Sequence, residues 1–555
     1  MRVFRPFTFA LGAVFASVSA SAESLLADWA PCGSKFIVSF ECSVATLPLC
    51  HKGVCDSDKT VEVQVKRVAG TKTASKAVWV LTGGADASSS KVEGSLDSLA
   101  RALDGQADVY TMDIRGTGNS TLLGCKATDK YTTGAAVDFR VVADCAKDIY
   151  AQMDEQPASF SVTSAAKDVV SLIGEHKGDV FVYGSGIGSY LAARVMHMAP
   201  DNVKGYVLDR VVSEKRGNFA YAGSNRQQAA TELAALCDKS PDCRKNYGES
   251  LSEDLRMKDI WNNLATKYDE AKSDPKYAEC TKLLCGDCKD VSPSDMVRKL
   301  LEMGVPASST ATREEIPDVM ETLWNCDDVK VLQKRMGGEG SFAEMLKEFQ
   351  AEQETATADP AKEGPAEFFT QLIKHSEIWA HPSRSWEDAK KSIQSTTFGA
   401  YQTYDYAWHC VLSGNMTDPS CSALKEYGEQ LSKPIDFSTI KDMQSLLYAP
   451  DDYYSKFATI PDGSSALLMT SKLDFEMPAS WAKEQMSEMR GDSIQLIEFE
   501  TNAHGSEFIN TTPEDHNDCG TDILASYVLG GGDLDQIDMS CFDKFQPIDF
   551  KDMQS

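Results

Sequence analysis

The residues with the clearest chemical content are Tyr183-Gly184-Ser185-Gly186-Ile187-Gly188, set between an apolar run and a stretch with helical spacing. A glycine two residues either side of a reactive residue, at a junction of this kind, makes a sharp strand-to-helix turn that lifts the central side chain above a sheet as a nucleophile. The flanking glycines are required because the turn leaves no room for side chains there. Here they are Gly184 and Gly188, so the central residue is Gly186, which carries no nucleophile. Ser185 is adjacent, with its side chain expected to point away from the pocket, and Ser189 falls within the following helix; either would have to act as a displaced nucleophile. A second motif, Cys285-Gly286-Asp287-Cys288 with Cys280 and Cys326 nearby, has the spacing of a zinc site or redox centre. That segment contains no histidine, and structural disulfides are the expected reading. No dinucleotide fingerprint, phosphate loop, H-E-x-x-H or EF-hand occurs in the chain, and no cofactor or metal is expected.

The elements around the turn read as alternating strand and helix. Val61, Val63 and Val65 alternate with polar residues, and Ala77 to Leu81 is a continuous apolar run that ends in Gly83 and Gly84. Val92, Leu96, Leu99 and Leu103 have helical spacing. Strands follow at Asp108–Met112, Asp179–Tyr183 and Val203–Leu208, with helices at Thr163–Ile173 and Ile187–Met198. Repeated units of this kind imply a parallel sheet with helices on both faces. From about Glu214 to Phe457 strand patterns fade and charged helical segments take over, such as Gln227–Leu236, Ser294–Met303 and Ala343–Gln353, with a polar loop at Thr355–Gly364. Sheet patterning returns at Ala466–Met469 and Ile494–Phe499, with helices at Trp481–Met489 and Thr521–Leu529. The expected organisation is therefore an α/β core over residues 23–213 and 458–555, interrupted by a helical cap at 214–457. The segment Pro434 to Phe437 with Lys441 to Ser445 recurs at Pro547 to Phe550 and Lys551 to Ser555; it is too short to be a structural repeat.

The chain has 555 residues, of which 83 are acidic and 55 basic, a net charge of −28 that opposes binding to nucleic acid or to an anionic membrane surface. That length fits two or three ordinary domains, or one large domain with a long insertion. Sixteen cysteines are too many for a reduced cytosolic chain of this type and suit a secreted one. Arg2 and Arg5, the apolar stretch Phe7–Val18 and the small residues Ser19 to Ala22 have the pattern of a signal peptide over 1–22, cleaved after Ala22. Asn119, Asn415 and Asn510 begin glycosylation sequons. Proximity favours the disulfides Cys125–Cys145, Cys237–Cys243, Cys410–Cys421 and Cys519–Cys541.

Several motifs together give a resemblance. Val78-Trp79-Val80-Leu81-Thr82-Gly83-Gly84-Ala85-Asp86 is similar to a strand and oxyanion loop, and Asp113-Ile114-Arg115-Gly116-Thr117-Gly118-Asn119-Ser120 to a D-x-R-G-x-G-x-S turn. Leu473-Asp474-Phe475-Glu476-Met477-Pro478 is similar to a D-x-x-x-P element, and Ala503-His504-Gly505 to a histidine loop. With the turn at Gly186, they resemble the secreted α/β hydrolases of the prolyl and tripeptidyl aminopeptidase-like serine peptidase family, over about 60–214 and 464–529. The resemblance implies an α/β-hydrolase fold with a large helical cap. It implies a triad with its nucleophile position at Gly186, its acid at Asp474 and its base at His504, and an oxyanion hole formed around Gly84, Ala85 and Ile187. It also implies a peptide or small acyl substrate; the acidic charge already argues against nucleic acid or a membrane surface as partner.

Two departures bear on catalysis. Gly186 replaces the serine, and loss of that hydroxyl costs on the order of 10⁶-fold in kcat in a well-studied triad enzyme. Asp86 stands where the family has glycine, and a carboxylate there opposes a developing oxyanion. The sequence therefore leaves two readings open. One is a secreted hydrolase, impaired at the nucleophile position or working through Ser185 or a water activated by His504. The other is a non-catalytic binding or decoy protein that keeps the fold and pocket.

Overall fold

The computed structural model describes residues 24–33, 36–71, 74–81, 88–124, 142–215, 217–247, 255–271, 273–289, 291–304, 310–326, 367–429, 435–441, 443–501, 519–544 and 550. Nine strands form one sheet: β1 (Ala30–Pro31), β2 (Glu41–Pro48), β3 (Thr60–Val68), β4 (Lys76–Leu81), β5 (Ala107–Met112), β6 (Asp179–Ser185), β7 (Val203–Asp209), β8 (Ser465–Ser471) and β9 (Ile494–Phe499). Their spatial order is β1-β2-β3-β5-β4-β6-β7-β8-β9. From β5 to β9 every pairing is parallel, whereas β1, β2 and β3 run antiparallel at one edge. The alternation at Val61, Val63 and Val65 thus marks a strand of an antiparallel ribbon with one wetted face, not the first strand of a parallel series.

The central strands are apolar on both sides because helices cover both faces. On one face α3 (Val162–Ile173) and α4 (Ile187–Met198) pack on Trp79, Val182, Tyr206 and Leu208. On the other, α1 (Glu93–Ala102) and the helix Cys519–Leu529 cover Val78, Val80, Phe181, Val207 and Leu467. The helix α2 (Val142–Gln152), which the strand and helix patterns above do not include, adds Cys145 and Ile149 to the first face. A mostly parallel sheet, helices on both faces and a sharp turn after the central strand make this an α/β-hydrolase fold with an added helical region.

Between β7 and β8 the regular elements among the described residues are all helices. One part of this insertion, from the helix Ala222–Lys239 to the helix Thr310–Asn325, has its own core around Trp261, Tyr268 and Leu264. That core also takes in Leu473 and Phe475, just past the carboxyl end of β8. The other part joins the main core through Phe369, Trp379, Trp386 and Tyr406. The insertion therefore packs onto loops at the carboxyl ends of the parallel strands, the edge at which open α/β sheets hold their ligands. The segments Ala343–Gln353 and Thr355–Gly364 lie outside the described residues.

Seven disulfides are described. Cys237–Cys243, Cys410–Cys421 and Cys519–Cys541 are as the sequence suggests. Cys32–Cys42, Cys50–Cys55, Cys280–Cys326 and Cys285–Cys288 are further bridges. The C-x-x-C motif is thus a closed disulfide. Cys145 is also disulfide-bonded, while Cys125 lies outside the described residues. Among the described residues no helix is long and apolar enough to cross a membrane.

Candidate active site

The turn at Gly186 is built by backbone sterics. Gly186 sits between β6 and α4 with φ 57° and ψ −125°, a conformation that L side chains adopt only under strain. Its N–H donates to the carbonyl of Asp209 at 3.1 Å, which pins the turn to the end of β7. Gly184 explains the first flanking glycine: a Cβ there would lie 2.0 Å from the carbonyl oxygen of Gly188 and 2.9 Å from the Ala192 Cβ. Only a bare backbone lets α4 approach β6 so closely. Ile187, the first residue of α4, is buried.

The two neighbouring serines differ. The Ser189 hydroxyl donates to the Gly186 carbonyl at 2.7 Å and accepts the Val212 N–H at 2.9 Å, so it ties turn, helix and the segment after β7 together. Ser185 is the last residue of β6, opposite Asp209 in the ladder, and is buried. It shares a strand face with Tyr183, whose ring belongs to the core on the α1 side.

Asp474 follows β8 and is 1% exposed. Its Oδ1 accepts the backbone N–H groups of Glu476 and Met477, each at 2.8 Å, which folds the loop that leads through Pro478 into the helix Ala479–Glu488. A second acid, Asp209, is one that sequence reasoning missed. It ends β7, is fully buried, and accepts the Tyr183 hydroxyl on Oδ2. Burial is the main reason its pKa rises to about 6; Asp474 pushes it up further, while Arg210 and the Tyr183 hydrogen bond act the other way. The Arg210 Nη2 is 3.7 Å from Oδ2. The sequence did hold a signal, a carboxylate closing the apolar run Val203–Leu208. Asp209 and Asp474 thus form a pair of buried acids on the two strands beyond β6. His504, Gly84, Ala85 and Asp86 lie outside the described residues, as does Asn510. Asn119 and Asn415 are exposed.

The D-x-R-G-x-G-x-S turn is a scaffold. Asp113 accepts the N–H groups of Ser89, which opens the segment into α1, and of Asn119. Arg115 is completely buried and grips Asp168 of α3 through Nε at 2.6 Å and Nη2 at 2.5 Å. Its other donors reach the carbonyls of Leu49, Ser159 and Pro48. Behind the turn, Arg194 of α4 pairs with Glu377 of the insertion at 2.6 Å, and Glu377 also accepts from Tyr448 and Tyr190. Ile187 and the insertion are therefore both tied to α4.

Beside the Asp474 loop lies a cleft of about 440 Å³, walled by Phe219, Phe475 and Met477, with Arg226, Lys374 and Gln402 among its polar lining. Among the described residues no group of three or more His, Cys, Asp or Glu is placed to hold a metal ion.

No family model and no curated protein matches the sequence. Among solved structures, the chain is similar to a putative hydrolase from Agrobacterium vitis S4, with 10% identity, TM-score 0.30, and 89% of this chain and 98% of that one covered. It is similar to the mouse alpha/beta hydrolase domain-containing protein 10, with 10% identity, TM-score 0.29, and coverage of 88% and 97%. A proline iminopeptidase-related protein from Thermus thermophilus matches at 19% identity and TM-score 0.21, over 34% of this chain and 49% of that one. Likeness at these scores carries no argument; the fold rests on the strand order and the turn at Gly186. What the described turn lacks is any side chain that could form an acyl-enzyme at its apex.

Proposed function

We propose that this is a secreted α/β-hydrolase-fold protein of the serine aminopeptidase-like type whose nucleophile position has become glycine, leaving a ligand-binding protein with little or no acyl-transfer activity. The single observation that carries the reading is Gly186 itself, at the apex of a correctly formed elbow with φ 57°. In an active relative the apex serine attacks a carbonyl, a histidine takes its proton and an acid holds the histidine. On this reading Asp474 and His504 are the inherited acid and base, and Gly84, Ala85 and Ile187 are the residues assigned by resemblance to the oxyanion hole. Without an apex hydroxyl no covalent intermediate forms, and a carboxylate at Asp86 disfavours the oxyanion. Loss of a side chain also relieves strain at the apex, by on the order of 1 kcal/mol or more. The seven described disulfides support an oxidising, extracellular location, with glycans on Asn119, Asn415 and Asn510.

Steady-state kinetics test the proposal. Wild-type protein is expected to turn over aminoacyl and peptidyl chromogenic substrates no faster than the uncatalysed blank. Gly186→Ser is expected to gain turnover, and Asp86→Gly in that background to raise it. Robust wild-type turnover abolished by Ser185→Ala would replace this reading with a displaced nucleophile.

A further inference from the structure

The cleft beside the Asp474 loop has an uneven charge balance. Its floor and walls come mainly from the start of the helix Ala222–Lys239, the segment around Gln402 and the loop Phe475 to Met477, with Glu302 and Lys374 added from two further segments. Most of its polar groups are committed internally. Lys374 is paired with Asp405 at 2.9 Å. Glu302 is paired with Lys299 at 2.8 Å. Gln402 accepts the Gly223 N–H at 2.8 Å and donates to the Phe219 carbonyl at 3.2 Å. Glu476 is exposed, where water screens its charge. One charged lining residue stands apart from these. Arg226 is half-buried, and its guanidinium has no hydrogen-bond or ion-pair partner among the described residues.

A guanidinium on an apolar-walled cleft presents a planar fork of donors that matches a carboxylate with two parallel hydrogen bonds. Partial burial strengthens that interaction relative to open water. The walls at Phe219, Phe475 and Met477 suit an apolar side chain next to the charged group. The volume of about 440 Å³ is that of a small-ligand pocket and admits an amino-acid or dipeptide unit.

We infer that this cleft binds the free carboxylate end of a short peptide or acylated amino acid with an apolar terminal residue, with Arg226 as the carboxylate receptor. This rests on the reading of the cleft as the ligand side of the fold, but not on catalysis.

The test is equilibrium binding to the full-length, disulfide-intact protein, by calorimetry, with N-acetyl-phenylalanyl-leucine as probe and its C-terminal amide as control. The free acid is expected to bind roughly ten- to a hundredfold more tightly than the amide, the range of a charge-assisted hydrogen-bonded pair. Arg226→Ala should remove that preference while leaving amide binding unchanged, and Arg226→Lys should restore part of it. Equal affinity for acid and amide, no binding of either at millimolar concentration, or a preference that survives Arg226→Ala would each overturn the inference. Displacement of the peptide by equimolar inorganic phosphate would also overturn it, by assigning the site to a phosphoryl group. No residue of the elbow lines the cleft, so fluorophosphonate labelling of Gly186→Ser should be the same with and without Arg226→Ala. Peptide binding without such labelling would overturn an aligned triad at the elbow and leave the cleft; labelling without peptide binding would do the reverse.

Discussion

Replacing Asp209 by asparagine should stabilise the protein near neutral pH. The carboxyl is fully buried at the end of β7, one strand from the elbow, and its pKa is raised from 3.8 to about 6. The cause is chiefly loss of hydration, with the Asp474 carboxylate adding to it. A group whose folded pKa is raised in this way binds its proton more tightly in the native state. Stability contributed by protonation is then fully present below the unfolded value and is lost as pH rises through the folded one. The ionised form therefore costs the fold about 3 kcal/mol above pH 6, since each tenfold gain in proton affinity is worth about 1.4 kcal/mol. Asparagine keeps an acceptor for the Tyr183 hydroxyl without the charge. Asp209→Asn should gain on the order of 1–3 kcal/mol at pH 7 relative to wild type, and the gain should shrink toward zero as pH falls from about 6 to about 4. Urea unfolding of both proteins at several pH values across that range and up to neutrality, followed by tryptophan fluorescence, measures the difference. A variant that is less stable at neutral pH by a pH-independent amount would refute the reasoning. It would show that the carboxylate is held as a compensated anion.

Three further outcomes follow from the same geometry. Arg194→Met should destabilise the protein by about 3–5 kcal/mol in chemical denaturation, because it leaves Glu377 buried at 4% exposure without its cation. Gly184→Ala should cost at least about 1–3 kcal/mol by the same measurement, since its Cβ would meet the Gly188 carbonyl at 2.0 Å and α4 cannot yield while Arg194 holds it to the insertion. His375 is buried near His409, His381 and Lys374, and burial first, then those charges, push its pKa well below 6.5. It must be neutral in the fold, so its contribution is present above about pH 6.5 and is lost as pH falls below that value, more steeply in wild type than in His375→Leu.

The parts of the fold that were legible in the sequence are those where local chemistry and tertiary demand agree. The strands β4, β6 and β7 are buried on both faces and read as apolar runs, and the glycines of the elbow mark the one place where β6 must turn at once into α4. The insertion was legible only as a loss of strand patterning, because its helices bury faces against each other in an order that spacing does not encode. The strand β2 escaped notice because its buried face mixes Ser43 with Ala45 and Leu47 while its exposed face carries Val44, so no apolar–polar alternation marks it. The same holds for Cys280–Cys326, which closes 46 residues and has no local signal, whereas Cys237–Cys243 spans a single turn. Asp474 was legible through its loop motif. Asp209 was not, because a lone acid after an apolar run becomes meaningful only when Tyr183 and Asp474 are seen around it.

The turn from β6 into α4 has the backbone form of a nucleophile elbow with glycine at its apex. Intact-protein mass spectrometry after treatment with a fluorophosphonate is the decisive measurement, because the probe forms an adduct only where a serine is activated as a nucleophile. The account predicts no adduct on the wild-type protein and one adduct on Gly186→Ser, mapped to residue 186 by peptide sequencing. An adduct on the wild-type protein, carried by Ser185, would contradict it.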